Sequence, residues 1–162
     1  MFSNMPGGVG PTPTGGSGEM YNNTGDHLPK GYVVQPDFTG AGLAALSLEL
    51  QVEFGLWGVA VLPTTALMAT APIFIVTRIN HADNDRKRVT VGTGGLMEVF
   101  VAETSGGNNT KLYAQNGSGK LTTASATGRR LIGVTVGPVA TVAGQLTKAW
   151  IFGAAPAAAI AP

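Results

Sequence analysis

The chain has no cysteine and little charge, and each shortage removes a class of protein. Without Cys there is no disulfide framework, no zinc–thiolate site and no thiol nucleophile, so stability beyond the core has to come from oligomerisation or partner binding. Charged residues make up 12% of the 162 positions and the formal net charge is only +1. A field that weak does not gather phosphate backbones, which argues against a nucleic-acid partner. Helices that face solvent ordinarily carry Glu, Lys and Arg on their outer side, and those residues are scarce here. What is abundant is Gly, at 24 residues, together with Thr and Val, the composition of strands and turns.

The length suits one ordinary domain, or a smaller one with a tail. The opening Met1-Phe2-Ser3-Asn4-Met5 has neither a basic n-region nor an apolar h-region, so the expectation is a chain made in the cytoplasm. The sequons at Asn22, Asn108 and Asn116 then count as loop polarity. From Phe54 to Val76 there is no charge, a stretch long enough to span a bilayer. Pro63, Pro72 and three threonines interrupt it, with β-branched residues gathered at its two ends. It is read as two buried strands joined by a turn, with no membrane partner.

Residues 1–43 differ in composition from the rest, with Pro6, Pro11, Pro13, Pro29 and Pro36 interleaved with Gly. Such a segment buries too little apolar surface to offset its ordering entropy, so a flexible arm is expected. Tyr21, Leu28, Tyr32 and Phe38 are spaced along it as candidate anchors for a neighbouring protein. The body, 44–153, opens with the alternating Leu46-Ser47-Leu48-Glu49-Leu50-Gln51-Val52-Glu53, the pattern of a half-buried strand. Further strands are expected over Trp57–Leu62, Ile73–Ile79, Arg88–Val91, Met97–Val101, Lys111–Ala114, Lys120–Thr123, Leu131–Val136 and Lys148–Phe152. Between Leu112 and Leu121 the Asn116-Gly117 pair predicts a hairpin whose turn takes positive φ at both residues. A short helix is expected near Gly42–Ala45 or Thr64–Met68, and residues 154–162 form an apolar tail. The fold class is therefore all-β: a small barrel or sandwich preceded by a long extended N-terminal arm.

Chemistry-bearing motifs are thin. Gly117-Ser118-Gly119-Lys120 has the end of a phosphate-binding loop but Ala114 and Leu121 where that motif needs Gly and Ser or Thr. Asn80-His81-Ala82-Asp83-Asn84-Asp85 crowds oxygen atoms, yet position 91 is Val where an EF-hand has its Glu. An Asx-rich turn explains it, and neither a metal nor another cofactor is expected. The adjoining Arg86-Lys87-Arg88 is a solvated cluster and a candidate protein contact. His27 and His81 have no nucleophile setting beside them, so no catalytic residues are assigned and the chain is not expected to be an enzyme.

The order of Val89-Thr90-Val91-Gly92, Gly95, Met97-Glu98-Val99-Phe100-Val101, Lys111-Leu112-Tyr113 and Gly119-Lys120-Leu121-Thr122 continues through Leu131-Ile132-Gly133-Val134-Thr135-Val136 and Ala143-Gly144 to Lys148-Ala149-Trp150-Ile151-Phe152. Over this span, a little over half the chain, it resembles the small β-barrel capsid cement, or head decoration, proteins of tailed bacteriophages. The resemblance implies a place on the capsid exterior of a virion, with the major capsid protein as partner. With the missing disulfides and the apolar 154–162 tail, it points to a homo-oligomer on a local symmetry axis, a trimer slightly favoured over a dimer. The long arm and the Leu46–Glu53 strand depart from that family's compact start. The alternative is a head-fibre or receptor-binding module that recognises host glycans on aromatic platforms such as Trp57 and Tyr113.

Overall fold

A computed structural model of the chain describes residues 16–37, 58–79, 88–104, 109–136 and 142–152. Nine strands and one short helix lie within them. In chain order these are β1 Ser17–Asn22, β2 Val33–Pro36, β3 Val59–Val61, α1 Thr65–Thr70, β4 Phe74–Ile79, β5 Arg88–Gly92, β6 Gly95–Phe100, β7 Lys111–Ala114, β8 Arg130–Thr135 and β9 Leu146–Ile151. Strands β1–β5 close into a barrel in the order β1-β3-β2-β4-β5, and β6–β9 form a four-stranded antiparallel sheet in the order β6-β9-β8-β7. The protein is all-β, as its composition implies.

Alternation along each strand divides its side chains between two cores. In β4, Phe74 and Val76 point into the barrel with Met20, Leu28, Val34, Ala60, Val89 and Val91. Ile75, between them, points the other way and joins Val33, Val99, Val101, Leu112, Ala149 and Ile151 between barrel and sheet. Strands β2 and β4 are thus apolar on both faces because both faces are covered. Each fully buried aliphatic side chain is worth about 1.5–3 kcal/mol of transfer free energy, so the second core is what welds sheet to barrel.

The N-terminal region corrects the expected 1–43 arm. Residues 17–22 and 33–36 are strands of the barrel itself, β1 pairing with β5 over five positions from Ser17↔Gly92 to Tyr21↔Arg88. It also runs parallel to β3 through Tyr21↔Val59 and Asn22↔Ala60. A high Gly and Pro count misleads here because the β partners lie far along the chain, and Pro36 is tolerated at the end of its strand. Residues 1–15, 38–43, the expected Leu46–Glu53 strand and the 154–162 tail lie outside the described residues.

The step from barrel to sheet is made at Gly31. Its N–H donates to Val76 O at 2.8 Å and its carbonyl accepts from Phe100 N at 3.0 Å, so one residue ties β4 to β6. It does so at φ 91°, a left-handed conformation that a side chain resists. Between β3 and β4, Thr64 caps α1, its hydroxyl accepting from Leu67 N at 3.1 Å. This places a helix at the second of the two expected positions. Among the described residues, no helix is long and apolar enough to cross a membrane.

The expected hairpin after β7 is present in altered form. Tyr113 and Thr122 exchange backbone hydrogen bonds of 2.8 and 2.9 Å, but Lys120–Thr123 makes only isolated bridges rather than a strand. Gly117 alone takes positive φ, at 72°. Asn116 keeps an ordinary φ because its side chain is engaged, Oδ1 accepting from Thr65 N at 3.1 Å while Gly117 N donates to Pro63 O at 2.8 Å. Docking onto the start of α1 overrides the local turn preference.

Candidate functional site

Strand parity decides what the sheet shows outward. Val99, Val101, Ala149 and Ile151 face the core, so Leu96, Glu98 and Phe100 on β6 and Leu146, Lys148 and Trp150 on β9 face out. The register sets them directly opposite one another as Leu96↔Trp150, Glu98↔Lys148 and Phe100↔Leu146. Trp150 is also opposite Val134 of β8. The outer face is therefore apolar at both ends with a charged pair between. Leu96, at one end, is 61% exposed and Leu146, at the other, 40%, so each end offers a large aliphatic side chain to water beside an aromatic ring. Tyr32 meets the edge of Phe100 at right angles, with ring centroids 5.6 Å apart, and extends the strip past Gly31.

Beside this face lies a cleft of about 350 Å³ between β4 and β6, lined by Val76, Thr77, Leu96, Met97, Glu98, Lys30 and Lys148. Lys30 Nζ stands 2.7 Å from Glu98 Oε1. That hydrogen bond, then the charge of Lys30, and more weakly that of Lys148, hold the Glu98 carboxyl below the usual range against a slight opposing effect of burial. The cleft keeps one positive charge in excess, because two lysines flank one carboxylate.

Two other polar clusters support the frame. Arg130, 2% exposed, donates from Nη1 to Ala71 O at 2.8 Å and Met68 O at 3.4 Å, occupying carbonyls at the end of α1. Burial lowers its pKa, yet a guanidinium stays charged at any ordinary pH. Gln35 Nε2 reaches the carbonyls of Ala71 and Pro72 from the barrel side. At Glu103, burial opposes ionisation, but the Thr123 N–H at 2.8 Å, the Thr122 and Thr123 hydroxyls and the Arg129 charge outweigh it and hold the carboxyl low. Among the described residues no three His, Asp or Glu gather as metal ligands.

The candidate contact residues fall in different places. Leu28 is 1% exposed in the barrel core, which corrects its reading as an anchor for a neighbour. Tyr21 and Arg88 are paired across β1 and β5, both half-buried, and Arg88 Nη1 lies 3.3 Å from Glu19 Oε1. Tyr32 alone reaches the outer strip. Phe38, Arg86 and Lys87 lie outside the described residues, as do Trp57 and the Asn80–Asp85 turn. Tyr113, the other proposed glycan platform, is 8% exposed and belongs to the interior. Lys30, Leu96, Glu98, Phe100, Leu146, Lys148 and Trp150 were not singled out from the sequence. The available signal was that β6 reads Leu96-Met97-Glu98-Val99-Phe100-Val101, with large apolar residues on both faces of a strand.

No protein-family model matches this chain, and neither a curated protein nor a solved structure does.

Proposed function

We propose that this protein is a decoration, or cement, protein that binds the outer surface of an assembled bacteriophage capsid, bridges neighbouring major capsid subunits and stabilises the shell. The observation that carries the reading is the apolar outer strip of Leu96, Trp150, Val134, Phe100 and Leu146, a surface suited to burial against another protein. The segments that resemble phage decoration proteins are β5–β9 and the loop joining β7 to β8, and these build the whole four-stranded sheet and one strand of the barrel. A component that binds the assembled shell and not its separated subunits stabilises the shell by mass action. Self-association, as a trimer on a local three-fold axis, is part of the same proposal and would cover more of the strip.

Co-sedimentation tests it. The protein should pellet with intact capsids and stay in solution with free coat subunits, and Trp150→Asp should remove pelleting. Binding on a glycan array without any effect on capsid strength would favour the head-fibre reading instead.

A further inference from the structure

The edge strand of the sheet has backbone groups left over. Val136 N donates to Lys148 O at 3.0 Å and Phe152 N to Ile132 O at 2.8 Å, so the even-numbered residues of β9 bond to β8 and its odd-numbered ones to β6. On β6 the partners of those odd residues are Gly95, Met97 and Val99, which leaves the N–H and C=O of Leu96, Glu98 and Phe100 pointing to the other side. Phe100 is satisfied there, donating to Gly31 O at 3.0 Å and accepting from Leu121 N at 2.9 Å. Leu96 and Glu98 open onto the cleft, and no described residue pairs with their main chain.

We propose that this edge is a docking site for an extended, acidic and apolar segment of a partner protein, which adds to β6 as a fifth strand beyond the point where Gly31 ends the pairing. The segment would continue a ladder that the chain itself begins at Phe100 and abandons at Lys30. Its main chain takes the four free groups of Leu96 and Glu98, and an apolar side chain fills the cleft against Met97 and Leu96. The charges choose the polar residue. Among the described residues Lys148 has no salt bridge, while Glu98 already holds Lys30. An incoming carboxylate can take Lys30 while Glu98 turns to Lys148, directly opposite it on β9, so that no charge is left alone. An incoming lysine would meet two cations. Nothing in this chemistry requires the partner to be a capsid subunit.

The probe is a capped pentapeptide alternating valine and aspartate, titrated into the full chain, with its valine–lysine counterpart as control. The expected result is hydrogen-exchange protection gained at the Leu96 and Glu98 amides, with the aspartate peptide binding more tightly. Lys148→Ala should weaken it about threefold, the scale of one exposed ion pair, with an unchanged circular dichroism spectrum. Leu96→Pro, which removes an edge donor that β9 does not use, should abolish the protection. Binding that leaves both amides unprotected, equal or tighter binding of the lysine peptide, or protection that rises with protein concentration alone and so reports a second copy on the edge, would each overturn the assignment.

Discussion

Replacing Gly31 by Ala probes the joint between barrel and sheet directly. The residue sits at φ 91°, where a side chain costs about 1–2 kcal/mol in backbone strain. An added Cβ would also lie 2.5 Å from Leu146 Cδ2 and 3.3 Å from Phe100 N. Leu146 is 40% exposed and can swing aside, but the Phe100 amide is held in the ladder and has to yield by a few tenths of an ångström. Crowding of that kind adds about 1–2 kcal/mol. The sum, about 2–4 kcal/mol, is a large part of the 5–15 kcal/mol that ordinary domains possess. Gly117→Ala is the control, with φ at 72° and no atom within 4 Å of the new Cβ, so it carries the backbone strain alone. The loss of unfolded-chain entropy is common to both substitutions and cancels in the comparison. In urea denaturation at an m value of about 2 kcal/mol/M, Gly31→Ala should lower the midpoint by about 1–2 M, and Gly117→Ala by about half that. Equal midpoints for the two variants would refute the close approach of residues 30–32 to β6.

Glu103 predicts an acid-sensitive contribution. Its folded carboxyl titrates below the ordinary range of a glutamate, so its stabilisation is complete above that range and is lost as pH falls through the folded pKa. The stability difference between the wild type and Glu103→Gln should therefore shrink on acidification below the ordinary glutamate range, as followed by denaturant unfolding at stepped pH. Arg130→Met keeps the volume but leaves Met68 O without that donor and Ala71 O with only Gln35. It should cost about 2–4 kcal/mol in thermal or urea unfolding, and Arg130→Lys should recover little of it, because one ammonium does not reproduce the planar fork. Leu96→Asp should shift stability by no more than about 0.5 kcal/mol, since the side chain is mostly in water, while abolishing co-sedimentation with capsids.

Much of the frame is legible in the residues. The β-branched and apolar runs from Arg88 to Phe152 announce β5–β9 to within a few positions, because most alternate between a core and an outer face, as β9 does, and turn residues punctuate them. Strands β1 and β2 are not legible. Ser17-Gly18-Glu19-Met20-Tyr21-Asn22 has one large aliphatic side chain, and it becomes a strand because β5 and β3 supply both of its edges, information that no local window contains. The outer strip fails for a related reason. Leu96 and Trp150 look like core residues in sequence, and only the register that places Val99 and Ala149 inward shows that they face out. Leu28 is the converse, an isolated aliphatic residue among Pro and Gly that the barrel swallows.

The way the barrel closes has a consequence for how the chain is made. Its first strand finds its widest pairing with β5, and contacts across that seam join residues 69 and 77 positions apart, as in Arg88 to Glu19 and Gly16 to Thr93. A nascent chain emerging from the ribosome therefore carries β1 with one edge bare until Arg88–Gly92 has been synthesised. Pairing at such separations is slow, because loop closure comes before any reward in contacts. Translation halted before Arg88 would leave the Met20 side of the strand without its cover, a species prone to aggregation and a natural client for chaperones. The last step of closing the barrel is in this sense a check on length: only a chain that has reached β5 can seal β1.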